Sequence, residues 1–417
     1  MKEQSQQQNE LQARYNKFKE AGLKLDLTRG KPASEQLDLA NDLDGILAGF
    51  YLLQDGTDVR NYGGILGIPE ARQLGSELLE MPIENVMVGG NSSLNLMYLY
   101  ISYMLPKWRA ENDTVIKFLC PVPGYDRHFT ICNHFNIEMI NIPLLEHGPD
   151  MDMIEQLISE DPTIKAIWCV PKDSKPTGHT YGDDTVARFA SLGLIAGPDF
   201  KIFWDNAYLV HDLTETSAKL ANLFTAAQAK GCEDSVLTFA STSKITFAGA
   251  GISFFGTSSG ELKAFEKFLS SQMIGFDKVN QLRHLRFLED REGILVHMAR
   301  HRELLAPKFT LVEEKLSGSL AGIEIDSQPL ATWTTPLGGY FVSLDTLPGL
   351  ASQVVELAGA VGVKLTPAGA TYPNGKDPAD SNIRIAPSYP TMLELGQAMD
   401  VLVTCLQLAS ITRSSQT

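Results

Sequence analysis

The chain is 417 residues long and 44% hydrophobic, enough for a large core shared between two or three units. Its 35 basic residues against 50 acidic ones leave a net charge of −15, which repels nucleic-acid backbones and anionic lipid surfaces, so neither is an expected partner. The five cysteines, Cys120, Cys132, Cys169, Cys232 and Cys405, form no C-x-x-C pair; this excludes redox and zinc motifs of that kind and fits a reducing cytoplasm.

The opening MKEQSQQQNELQARYNKF has neither an apolar signal core nor a cleavage site, and no run of about 18 apolar residues follows, so no export or membrane span is expected. Beyond a glutamine-rich tip expected to fray, Leu11, Tyr15 and Phe18 fall at helical spacing and Gly22 supplies a stop. This predicts an amphipathic helix docked on a body, with a turn at TRGKP after it. From Val86 onward the apolar runs NVMV, TVIKFL, IEMINI, IKAIWCV, KIFWD, SVLTFA and GISFFG alternate with mostly helix-length segments. The pattern predicts an α/β fold with a largely parallel seven-stranded sheet and helices on both faces. Ligands of such sheets sit beyond the carboxyl ends of the strands. The polar clusters GGNSS, CPVPGYD, PKDSKPTG, DNAY and STSK each directly follow one of these runs.

Residues 260–316 are charged and helical in pattern, with no Pro before Pro307, and read as a connector. ATWTT, GGYFVSL and NIRIA then provide strands for a smaller α+β domain. The expected division is an amino-terminal arm with part of the small domain over residues 1–50, a large domain over 51–295, and the small domain over 296–417.

Lys244 lies just past the SVLTFA run, between small residues and beside Ser241 and Ser243. S-x-S-K alone is a weak signal, since a loop lysine reads the same way. WDNAY, at the end of the preceding run, adds Asp205 and Tyr208 at a spacing of three. A pyridine ring acts as an electron sink only while its nitrogen stays protonated, and a buried carboxylate keeps it so. Asp205 suits that task and Tyr208 could donate to a ring oxygen, although Asp after a strand is commonly a turn or cap residue. Gly89 and Gly90 end a strand, and Asn91, Ser92 and Ser93 open an apolar helix, an anion site by its free N–H groups or simply a capped helix start. Tyr125 can offer a flat face to an aromatic ligand or only pack at its turn. Arg384, alone in an apolar strand, suits bidentate capture of a carboxylate, or an internal ion pair.

In this order these residues resemble the fold-type I aminotransferases that use pyridoxal phosphate, in particular the bacterial aspartate aminotransferases related to the effector domains of MocR regulators. The resemblance runs from TRGKPASEQLDL through NYGGILGIPEAR, CPVPGYDRHF, WDNAYLVHDL, STSKITFAGAGISFF and TPLGGYF to LTPAGATYPNGKDPADSNIRIAP. It implies that Lys244 anchors pyridoxal 5′-phosphate covalently, with Asp205 on the ring nitrogen, Tyr208 on the ring oxygen and Tyr125 stacked on the ring. It implies further that Asn91, Ser92, Ser241 and Ser243 hold the phosphate, with Ser93 at the same helix start, and that Tyr62 reaches it from a second subunit of a homodimer with shared sites. Arg384 would clamp the substrate α-carboxylate and Gly30 would line its other side. SKPTG departs from the family's Asn-Pro-Thr-Gly, placing Lys175 where an asparagine usually meets the ring oxygen, and ITFAGAGI lacks an arginine that many relatives use for the phosphate.

The resulting expectation is a ping-pong aminotransferase for a dicarboxylic amino acid and a 2-oxo acid, with Arg29, Lys31, Arg60 and Arg127 as candidates for a side-chain carboxylate. A β-lyase or decarboxylase on the same cofactor, or a non-catalytic amino-acid sensor, are the competing readings. His297 and His301 have the i, i+4 spacing of zinc ligands, but without the glutamate of H-E-x-x-H they read as a solvated helix face, and no metal is expected. His211 follows DNAYLV and is given no role.

Overall fold

The computed structural model describes residues 2–111, 115–216, 218–325 and 327–414. All seven apolar runs are strands of one sheet: β1 Val86–Gly89, β2 Lys117–Val122, β3 Glu138–Leu145, β5 Ile164–Cys169, β6 Lys201–Asp205, β7 Val236–Ser241 and β8 Ser253–Gly256. An eighth strand corrects the expected count: β4, Gly148–Pro149, folds back antiparallel on the end of β3. Two residues are too few to show a period in the sequence. The order is β1-β8-β7-β6-β5-β2-β3-β4, with β3, β2, β5, β6 and β7 mutually parallel and β8 antiparallel to both its neighbours.

The central strands are apolar at nearly every position because both faces are covered. Leu119, Ile167, Ile202, Trp204, Val236 and Ala240 enter one core, and their chain neighbours Phe118, Trp168, Phe203, Leu237 and Phe239 enter another on the opposite face. The same alternation assigns Asp205 and Ser241 to the second face, at the carboxyl ends of β6 and β7.

A third core gathers α1 (Lys2–Ala21), a three-stranded antiparallel sheet and the last helix. Helix α1 begins at Lys2, so the glutamine-rich tip expected to fray is helical; Leu11 and Tyr15 are buried, and the chain leaves the helix at Gly22 with φ +60°. The small sheet runs β9 (Ala331–Trp333), β10 (Val342–Thr346) and β11 (Asn382–Ile385), matching the three late strand candidates. The last helix, Met392–Ser414, contains a stretch, Met392–Ile411, long and apolar enough to cross a membrane, but most of it is buried among the protein's own helices.

The connector region is helical, as its pattern predicts, and is divided into three helices: Ser259–Leu269, Lys278–Leu288 and Arg291–Leu320. The breaks were signalled by Asp277 and Asp290, whose side chains accept the N–H groups of Asn280 and Gly293 as amino-terminal caps. Pro307 stays inside the longest of them, with the loss of one backbone bond. That helix sends Ile294 and Met298 into the first core and Leu305, Phe309, Val312, Leu316 and Leu320 into the third, which ties the small sheet to the large one.

Candidate active site

Lys244 sits in the turn that leaves β7, half-buried, its Nζ 4.8 Å from the centre of the Tyr208 ring. Burial lowers its pKa below the ordinary lysine value, and the Asp205 charge pulls the other way. The turn meets the start of the helix Ser93–Glu111. Ser241 Oγ donates to Ser243 Oγ at 3.1 Å, Ser243 Oγ donates to the Asn91 carbonyl at 2.8 Å, and Asn91 Nδ2 donates to the Gly249 carbonyl at 3.2 Å. Asn91, distant in sequence, is thus brought onto the turn that carries Ser241, Ser243 and Lys244, at a helix amino terminus where N–H groups favour an anion. Ser92 precedes that helix half-exposed, and Ser93 is its buried first residue.

Asp205, 3% exposed, ends β6. Its Oδ2 meets His128 Nε2 at 3.2 Å, while Oδ1 is buried with no hydrogen-bond partner. An ionised oxygen left bare in the interior is costly unless a donor arrives to meet it. His128 itself is stacked on Trp168, with centroids 4.2 Å apart and planes within 7°. The imidazole therefore fixes the carboxylate in place. Tyr208, buried, is held protonated because burial, and then the nearby Tyr125 and Asp205, push its pKa well up.

Tyr125, Lys175, Arg384, Asp126 and Phe341 make the other wall. Arg384 Nη1 donates to Asp126 Oδ1 at 2.8 Å, and Nη2 donates to Thr366 Oγ1 at 3.2 Å and the Thr28 carbonyl at 3.3 Å. Its buried Nε has no partner. Both readings of this arginine thus apply in part, since it is paired yet keeps a donor free. Lys175 Nζ lies 3.8 Å from Asp126 Oδ1, 3.7 Å from the Tyr125 ring centre and 4.7 Å from that of Phe341. Burial and then the Arg384 charge push its pKa well down, against the pull of Asp126. Burial opposes ionisation of Asp126, but Lys175 and Arg384 together hold its pKa below the ordinary value. Gly30 packs on Phe341 so closely that a Cβ there would lie 2.2 Å from the ring's Cζ.

The remaining candidates fall outside this cluster. Tyr62 is on a surface loop, 83% exposed, its carbonyl accepting from Lys278 Nζ at 3.3 Å. Arg29 and Arg127 are exposed, Lys31 lies over the Tyr389 ring, and Arg60 Nε donates to Asp58 Oδ1 at 2.9 Å. The reading of His297 and His301 as a solvated face is wrong: both are buried and direct Nε2 at the Ile245 carbonyl, at 2.7 and 3.0 Å. Their helix turns this face inward, which the flanking Arg300 and Arg302 concealed. Among the described residues no three metal-ligating side chains converge. His128, Asp126 and Phe341 were missed from the sequence; His128 stands three residues after Tyr125, one helical turn on, and that spacing was the signal available.

A family model described as aspartate amino-transferase matches residues 1–417. A Mycolicibacterium smegmatis protein provisionally named as an aminotransferase is 49% identical over 415 residues, spanning 97% of this chain and 95% of that protein. An aspartate aminotransferase of Corynebacterium glutamicum is 45% identical over 410 residues, 96% and 93% of the two chains. Among solved structures, an aspartate transaminase from Corynebacterium glutamicum superposes with a TM-score of 0.94 at 43% identity, covering 99% of this chain and 97% of that one. The α-aminoadipate aminotransferase LysN of Thermus thermophilus, solved with N-(5′-phosphopyridoxyl)-L-leucine, shares the fold with a TM-score of 0.74 at 19% identity, covering 96% and 95%.

Proposed function

We propose, for this chain that belongs to the aspartate amino-transferase family and is a fold-type I aminotransferase, that it moves the amino group of L-aspartate or L-glutamate to a 2-oxo acid such as 2-oxoglutarate on pyridoxal 5′-phosphate. The family depends in general on that cofactor. The observation that carries the assignment of this site is the bare, buried Oδ1 of Asp205, whose other oxygen is already fixed by His128, because such an oxygen suits the protonated nitrogen of a pyridine ring.

Bound there, pyridoxal phosphate supplies the electron sink that makes the substrate Cα–H acidic. Asp205 would hold the ring nitrogen protonated, and Tyr208, kept as a phenol, would donate to the ring oxygen. Tyr125 would lie against one face of the ring. Asn91, Ser92, Ser93, Ser241 and Ser243 hold the phosphate with the helix amino terminus behind them. Lys175 would stand near the ring oxygen. Arg384 orients the substrate carboxylate, releasing Asp126 and using its free Nε, while Gly30 leaves room on the other side. Lys244 would anchor the cofactor, and its amine would serve as the general base for the substrate Cα proton, a task that its burial-lowered pKa assists.

Tyr62 belongs in this reading to a homodimer with shared sites. The solvent-facing Phe50, Leu52 and Tyr62, 74%, 57% and 83% exposed, support a second copy covering this surface. Five buried, unpaired cysteines support a reducing, cytoplasmic setting. In domain terms we assign residues 51–295 to the cofactor-binding unit and 296–417, with part of 1–50, to the smaller one.

The test is the visible spectrum of the purified protein with added amino acids, alongside steady-state kinetics. A yellow band that bleaches with L-aspartate while the matching 2-oxo acid forms in equal amount, with parallel-line initial-rate plots, is expected. Lys244→Ala should lower turnover by roughly 10²–10⁴-fold or more. A spectrum indifferent to both aspartate and glutamate would exclude these donors, and intersecting plots would exclude the ping-pong order.

A further inference from the structure

Beneath the lysine turn lies a chain of buried polar side chains that none of the roles above uses. Gln36, 1% exposed, sits on the short helix Ser34–Asp38, just after the segment that carries Thr28 and Gly30 to the substrate wall. Its Oε1 accepts the Ala33 N–H at 3.1 Å. Its Nε2 lies 3.1 Å from His301 Nδ1 and 2.8 Å from Tyr340 Oη. Tyr340 Oη in turn donates to the carbonyl of Lys244 at 3.4 Å, and His301 Nε2 reaches the carbonyl of Ile245 together with His297 Nε2. Two successive carbonyls of the lysine turn are therefore held from below.

The protonation pattern of the chain is fixed by its own chemistry. An amide nitrogen can only donate, so Gln36 Nε2 gives one hydrogen to His301 Nδ1 and the other to Tyr340 Oη. His301 Nδ1 is then an acceptor and Nε2 a donor, the neutral tautomer. Burial, then the His297 beside it, bring its pKa down to about 4, in agreement. Groups this deep are rarely left in a half-satisfied network, because each unpaired member keeps its desolvation cost uncompensated. Phe341, the residue after Tyr340, packs on Gly30 and lies 5.2 Å from the Arg384 guanidinium. The dipeptide Tyr340–Phe341 thus touches the lysine turn with one ring and the carboxylate-binding arginine with the other.

We propose that Gln36, His301 and Tyr340 are positioning residues that lock the turn bearing Lys244 to the amino-terminal segment on the substrate wall, so that the lysine is aimed only while that segment is seated. The proposal rests on the reading of Lys244 as the reacting lysine. Its test is therefore built to be read without the cofactor.

Hydrogen–deuterium exchange and competitive acetylation of Lys244 are measured on cofactor-free wild type and on Gln36→Leu, which keeps an apolar side chain but removes the donor to both His301 and Tyr340. Loss of one or two bonds should speed exchange over residues 242–248 by roughly five- to tenfold and change Lys244 acetylation by a similar factor. Exchange over β6 and the last helix should stay as in wild type, and in the loaded enzyme kcat should fall while KM holds. Tyr340→Phe, which deletes a single oxygen, should give the smaller share carried by the Lys244 carbonyl, and serves alone if Gln36→Leu does not fold. Unchanged exchange over 242–248, or an equal rise in every peptide, overturns the proposal. Failure of the functional reading would appear separately, as no cofactor trapped on Lys244 when loaded wild type is reduced with borohydride.

Discussion

Asp173→Asn is expected to stabilise the protein, and by an amount that grows with pH. Asp173 is 3% exposed, with φ +49°, in the loop that leads to Lys175, and its Oδ2 has no hydrogen-bond partner. That oxygen packs against Gly338 so tightly that a Cβ there would lie 2.2 Å from it. Burial raises the carboxyl's pKa from 3.8 to about 7; Lys172 opposes the rise and Asp212 adds to it. Between these two values the unfolded chain has lost the proton and the folded chain keeps it, so wild-type stability falls as pH rises across that window. At about 1.36 kcal/mol per pH unit the full penalty is about 4 kcal/mol, reached above pH 7 and absent below pH 4. Asparagine removes it. The amide has the size of the neutral acid, and Asn tolerates a left-handed backbone well. Urea unfolding of wild type and variant in steps from about pH 4 to about pH 8 should show the difference opening from near zero toward about 4 kcal/mol. A difference that is the same at both ends would show that Asp173 does not carry the penalty, and the reasoning from its burial would fail.

Asp205→Asn keeps the shape but not the charge; by analogy with breaking a buried ion pair, about 3–5 kcal/mol of stabilisation should go, lowering kcat by roughly two to four orders of magnitude with the fold intact by circular dichroism. Lys175→Asn should raise the pH midpoint of the cofactor's visible band by about 1 unit or more, because removing a cation favours the protonated form; a midpoint that stays put would mean the buried amine is neutral there. Gly30→Ala forces a methyl into Phe341 and should raise KM for amino and oxo acids alike, with about 1–3 kcal/mol of strain seen in thermal melts; an unchanged KM would remove Gly30 from the substrate wall.

The strands were readable because a strand covered on both faces is apolar at nearly every position, and NVMV through GISFFG are such runs. β4 was not, being two residues formed only by folding back on β3. The three-way division of the region after Phe255 was present in Asp277 and Asp290, whose capping role a helical period alone does not reveal. Lys244, Asp205, Tyr208 and Arg384 stood out by chemistry and order, since each is a polar group ending or interrupting an apolar run.

The sequence by itself thus determined the seven longer strands of the large sheet and which side chains emerge at their carboxyl ends, because both follow from local period and composition. Only the tertiary structure decided what those side chains meet: Asp126 bridging Arg384 and Lys175, His128 fixing Asp205, and His297 and His301 turned inward beneath Lys244. These are contacts between elements far apart in the chain, set by how helices dock on a sheet, and no local pattern encodes the partner across such a gap.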